Sequence, residues 1–131
     1  MTPFIAEYIG TAVMILLGGG VVANVLLNKT KGNNAGWIVI TTAWALAVFV
    51  GVSIAAPYSG AHLNWAVTIA NFALARMDLS TAVVYIVAQT LGAMTGATMV
   101  WLFYKDHFEA TEDAASKQAV FCTSPAIKNL P

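Results

Sequence analysis

The side chains of this sequence that could do chemistry stand where almost nothing else is polar. Glu7 lies at the start of one apolar run and Gln89 inside another. The segment SGAHLNWAVTIA, residues 59–70, places His62 and Asn64 in a window with no Asp, Glu, Lys or Arg. Ionisable or amide groups in such surroundings must be bonded or functional, because hydrocarbon offers them no partner. Asn64 opens a short apolar helix. It acts there either as a cap for free backbone N–H groups or, if the helix starts near the membrane centre, as a donor to a passing oxygen. A helix N-terminus carries roughly half a positive charge. With the amide it would form a site that donates to neutral oxygens and repels cations, protons included. Both readings stay open on position alone. His62 reads as a bonded structural residue, and no metal site is expected, because no second His, Cys or carboxylate lies nearby in sequence. Glu7 and Gln89 read as groups that tie down the loop around His62. Trp44, about two turns into the second apolar stretch, either packs in a bundle or offers an apolar wall to a pore. No cofactor is expected: Gly18, Gly19 and Gly20 are not followed by the Lys-Ser/Thr of a phosphate loop.

The elements that must position these groups follow from composition and charge spacing. The 131 residues are 59% hydrophobic and 9% charged, against about 25% charged in soluble domains. This is a membrane protein by composition. Six basic residues balance six acidic ones, so there is no basic stripe for nucleic acid. The single cysteine, Cys122, excludes an internal disulfide. Uncharged windows of 21, 44 and 26 residues separate Glu7 from Lys29, Lys31 from Arg76, and Asp78 from Lys105. A crossing helix needs roughly 20 apolar residues. Spans are therefore expected at about 5–27, 37–58 and 82–104, with the amino-terminal one read as a retained membrane helix. In the middle window Pro57, Tyr58, Ser59 and Gly60 break the second span. What remains, residues 64–75, would reach only ~18 Å as a helix, too short to cross. Residues 59–75 are thus expected to enter the membrane, stop near its middle and return. Such backbone is tolerated only where protein buries it or where it lines a wet cavity. The expected fold is all-α: three transmembrane helices plus one re-entrant half-helix over residues 1–104. An aqueous tail, 105–131, would hold one short helix and end in SPAIKNLP as a connection to a further element.

Small residues recur at four-residue spacing in each span: Ala6, Gly10 and Gly18; Ala43, Ala47, Gly51 and Ala55; Ala88, Gly92 and Gly96. Such stripes let backbones approach closely, and three of them predict a compact bundle. Trp37, Trp101, Phe103 and Tyr104 fall at span ends, where interfacial aromatics collect.

The SGAHLNWAVT run resembles the first signature, SGAHxNPAVT, of the aquaporin (major intrinsic protein) family. An early Glu7 and the AQTLGA segment, residues 88–93, extend the resemblance over nearly the whole chain. It implies half of a channel built from two inverted halves with six spans and two half-helices, assembled as homotetramers. By position, Asn64 resembles the pore asparagine. Gly60, Ala61 and His62 resemble residues whose carbonyls line the conduit, and Glu7 and Gln89 resemble the buried loop supports. Trp44, twenty residues before Asn64, resembles the filter tryptophan of the glycerol-conducting branch.

Three departures accompany the resemblance. Trp65 stands where the family has proline, which loses a pre-set φ and adds a ring where the half-helices meet; reduced conductance is expected. No second half-helix or filter arginine is present, so a complementary C-terminal half or a second copy should complete the wall. In the family orientation Lys29, Lys31, Lys105, Lys117 and Lys128 face outside, with Arg76 and the amino terminus inside, the reverse of the positive-inside tendency. The expected function is passive passage of glycerol, other small neutral solutes and water across the plasma membrane, in contact with the lipid bilayer. The competing expectations are a non-conducting assembly or regulatory remnant of a channel, and an intramembrane enzyme using Glu7 and His62.

Overall fold

The computed structural model describes residues 1–125 and 127; Lys128 and most of the SPAIKNLP segment lie outside the described residues. Among the described residues there are six helices and no strand: α1 (Pro3–Leu26), α2 (Trp37–Ser59), α3 (Trp65–Ala73), α4 (Leu79–Phe103), α5 (Lys105–Ala110) and α6 (Ala114–Ala119). Of these, α1, α2 and α4 are long and apolar enough to cross a bilayer.

Local chemistry sets the ends. Thr2 caps α1 by accepting from the Ile5 N–H, and Pro3 occupies the first turn, where its missing N–H costs nothing. Pro57 lies in the last turn of α2, inside the breaking segment expected at residues 57–60. The helix continues to Ser59 and stops where Gly60 takes a left-handed φ of 81° and donates to the Ala56 carbonyl. This is the glycine C-cap geometry that a side chain would strain. The fourth helix starts earlier than residue 82 because Asp78 caps it, accepting from the Thr81 N–H at 2.9 Å and from the Ser80 and Thr81 hydroxyls.

The central helix is α1. It packs along both α2 and α4, which do not pack extensively on each other. The small-residue stripes make this possible. A Cβ placed on Gly92 would collide with the Tyr8 carbonyl, and one on Gly96 would lie 2.5 Å from the Ala12 carbonyl. On the other side, Gly51 faces the Gly10 carbonyl at a comparably short approach. Two apolar clusters fill the bundle. One holds Ala6, Ala55 and Leu63; the other gathers Val22, Val25, Leu27, Ile40, Val100 and Val120 near the opposite end of α1. Val120 belongs to the segment after α6, so the polar tail folds back onto the bundle.

Candidate functional site

Between α2 and α3 the chain turns through Gly60, Ala61, His62 and Leu63, and three of these have positive φ: Gly60 at 81°, Ala61 at 53° and Leu63 at 51°. For the two non-glycines this costs on the order of 1–3 kcal/mol each, so the surroundings must hold them there. Glu7 does most of this. Its Oε1 accepts from the Ser59 hydroxyl at 2.5 Å and from the His62 N–H at 2.9 Å. Its Oε2 accepts from the Leu63 N–H at 2.7 Å and from Gln89 Nε2 at 2.9 Å. The carboxylate is fully buried, and four donors occupy its lone-pair directions. Ser59 Oγ in turn accepts from the Ala61 N–H at 3.1 Å. Helices α1, α2 and α4 thus all converge on four loop residues.

The direction of these N–H groups decides what the loop presents. In a trans peptide the N–H and the preceding C=O point opposite ways, and no cis peptide occurs among the described residues. The N–H groups of Ala61, His62 and Leu63 point inward to Ser59 and Glu7. The carbonyls of Gly60, Ala61 and His62 therefore point away from that anchor as a short series of acceptors.

Asn64 follows directly. Its Oδ1 accepts from the Ala66 N–H at 2.8 Å, capping α3. With the oxygen committed, the NH₂ end of the carboxamide is turned away from the helix, on an exposed residue. Cap and outward donor are therefore compatible roles of one side chain, not alternatives. The nine residues of α3 span ~14 Å.

His62 and Thr68 share a hydrogen bond of 3.0 Å, and Gln89 Nε2 also donates to the Thr68 hydroxyl at 3.0 Å. The His62 ring meets Tyr85 edge-on, and the Tyr85 hydroxyl donates to the Ser59 carbonyl at 2.9 Å. Sequence reasoning missed Ser59, Thr68 and Tyr85 as supports. Two signals were available: Thr68 lies one turn after Asn64, and Tyr85 one turn before Gln89, so each shares a helix face with a residue already singled out.

The remaining two residues stand apart. The Trp44 indole lies flat against Gly18, where an added Cβ would sit 2.6 Å from the ring. Leu63 meets α1 at Gly10. Eight residues separate these glycines, about 12 Å along α1, so Trp44 marks a second level of the bundle. Trp65, the first residue of α3, is 51% exposed despite its large apolar ring.

These features have counterparts in known proteins. The sequence model described as "Major intrinsic protein" matches residues 1–128. The chain belongs to this family. With three helices long and apolar enough to cross a bilayer, it is a multi-pass membrane protein carrying half of the aquaporin fold. It is similar to the probable glycerol uptake facilitator protein of Thermotoga maritima, 49% identical over 98% of this chain and 55% of the relative. The glycerol uptake facilitator protein of Streptococcus pneumoniae is 48% identical with the same coverage. The aquaglyceroporin from Plasmodium falciparum superposes with a TM-score of 0.74 at 37% identity, over 86% of this chain and 46% of that one. The chain spans about half the length of the curated relatives it matches.

Proposed function

We propose that this chain forms one half of the wall of a passive channel for glycerol, other small neutral solutes and water in the cell membrane. The observation that carries the reading is the pairing of outward carbonyls on Gly60, Ala61 and His62 with the outward amide of Asn64. A hydroxylic solute sheds water along such a path by donating to the carbonyls and accepting from Asn64, so its dehydration is offset step by step. The positive end of the α3 dipole disfavours cations at the same place. Glu7 and Gln89 act as loop supports. Trp44 supplies an apolar wall at the second level, suited to the carbon skeleton of a polyol. The names of the similar proteins point the same way. An enzymatic role for Glu7 is disfavoured because its lone pairs are already taken by four donors, which leaves none to act as a base.

The exposed polar loop and α3 need a partner that covers them in lipid. A complementary C-terminal half, or a second copy, would serve, and a family-like homotetramer is compatible with this. Trp65 is proposed to narrow the junction and lower conductance. Stopped-flow glycerol swelling of proteoliposomes tests the reading, using this chain alone and with the C-terminal half of the Thermotoga maritima relative. Flux above lipid only in the pair supports it. No flux in the pair, even with Trp65→Pro, would favour the non-conducting remnant.

A further inference from the structure

The hydrogen-bond directions behind the loop start from Glu7, whose carboxylate only accepts. Gln89 turns its NH₂ toward that carboxylate, donating at 2.9 Å, and its other N–H goes to the Thr68 hydroxyl at 3.0 Å. Thr68 is fully buried and has one hydroxyl proton of its own to place. Two acceptors are in reach: His62 Nδ1 at 3.0 Å and the Asn64 carbonyl at 3.3 Å. The carbonyl already accepts the Thr68 N–H at 3.1 Å, so the shorter contact, to the imidazole, takes the proton. A neutral imidazole that accepts at Nδ1 carries its hydrogen on Nε2. Tyr85 fixes the ring plane by an edge contact, with centroids 5.1 Å apart. Among the described residues Nε2 bonds to no protein group, and the buried polar side-chain atoms without a partner are the Thr11 hydroxyl and Gln89 Oε1. On half-buried His62, Nε2 therefore reaches the open side of the loop, two residues from the Asn64 amide.

We infer that Thr68 is a positioning residue that fixes His62 as the Nε2–H tautomer, which makes the imidazole a second N–H donor to solute beside Asn64. The inference rests on the channel reading and adds to it. The carbonyls of Gly60, Ala61 and His62 accept from solute hydroxyls, but a hydroxyl oxygen must also accept to be as well bonded as in water. Asn64 alone offers a donor at one point. With Nε2–H beside it, a polyol can engage one donor before it leaves the other. The opposite tautomer would put a bare lone pair on the path, an acceptor for the protons and cations that the α3 dipole repels.

His107 provides an internal reference for the test. Its Nδ1 donates to the Asn28 carbonyl at 3.0 Å, which fixes it as Nδ1–H, and the chain has only these two histidines. Nitrogen-15 spectra of the histidine-labelled chain in lipid, in mildly alkaline buffer, should show one ring of each tautomer, and His107→Gln should remove the Nδ1–H set. Thr68→Val should move His62 Nδ1 toward the position of an unbonded ring nitrogen, and Thr68→Ser should return it. With the complementary half present, Thr68→Val and His62→Leu should each lower glycerol permeability about threefold to tenfold, the range one neutral hydrogen bond supplies. Thr68→Ser should recover it, and His62→Gln, which can accept from Thr68 and donate outward, should retain it. If Thr68→Val fails to fold, the parent spectrum and the two His62 variants still decide. Two Nδ1–H rings in the parent would overturn the proposal. So would parental glycerol permeability in His62→Leu, which would leave the channel intact. A Thr68-dependent Nε2–H tautomer without glycerol flux in any pair would uphold the positioning by Thr68 and reject the channel.

Discussion

The carboxylate of Glu7 and the backbone N–H of Leu63, 56 residues apart, meet at 2.7 Å in a buried contact. This contact joins the start of the first helix to a loop residue held at positive φ. Together with the His62 N–H bond to the same carboxylate, it turns the carbonyls of Ala61 and His62 outward, while Ser59 does the same for Gly60.

Glu7→Gln tests that dependence. The amide keeps one oxygen and replaces the other with a donor, which would face the N–H of Leu63 or of His62. A buried donor left unmatched costs about 1–3 kcal/mol. The variant is expected to unfold at lower denaturant in detergent and to lose most glycerol flux. Unchanged stability would mean that the loop holds its shape without the carboxylate.

Trp65→Pro should act in the opposite sense. Asn64 has φ −152° and ψ 131°, the extended geometry required of a residue before proline, and Trp65 sits at the first helical position, which proline favours. The exchange is therefore compatible with the native backbone. It is expected to raise stability by about 0.4–1 kcal/mol through the unfolded state and to increase glycerol and water permeability. A fall in both would show that the ring of Trp65 is part of the conducting structure.

Much of this site was legible before any coordinates. The turn residues, the short apolar stretch and its uncharged window indicate a half-helix with Asn64 at its tip. Isolated Glu7 and Gln89 are legible as groups in need of partners. The orientation of the carbonyls was not, because it depends on N–H groups that reach Glu7 from more than fifty residues away. The same holds for the docked tail. Its polar residues read as an aqueous extension, whereas the Asn28–Thr111 contact joins positions 83 apart and leaves no periodic trace. The end of α2 was legible too: the helix stops at Ser59 with Gly60 as its cap, within the breaking segment 57–60.

Helix approach gives a paired prediction. A Cβ on Gly92 meets the backbone of Tyr8 and Ala12 and the Cβ of Thr11, none of which can swing aside. Gly92→Ala should destabilise the α1–α4 contact by about 1–3 kcal/mol. At Gly20 an added Cβ meets nothing within 4 Å. Gly20→Ala, in the middle of α1, should be neutral or stabilising by up to about 1 kcal/mol. Denaturant midpoints of the two variants distinguish close packing from a general dislike of substitution at helical glycines.

Acid should act through the α4 cap. The Ser80 hydroxyl first, then the N–H and hydroxyl of Thr81, hold the Asp78 carboxyl well below the usual carboxylate range. Its folded pKa thus lies below its unfolded one, near 4. The stabilisation is complete above that value and declines as pH falls toward the folded pKa. The stability gap between the parent and Asp78→Ala should be constant from pH 7 to about 5 and shrink below about 4. A gap that does not change with pH would assign the cap a role independent of its charge.

The most direct measurement is glycerol permeability of proteoliposomes holding the chain with its complementary half, parent against Asn64→Asp. Aspartate keeps the oxygen that caps α3 and replaces the outward donor with a second acceptor, so folding should be retained. The account predicts at least a tenfold drop in glycerol permeability, about 1.4 kcal/mol on the barrier, with an unchanged unfolding midpoint. Equal permeability in the two would contradict it, because solute would then be passing without using the amide of Asn64.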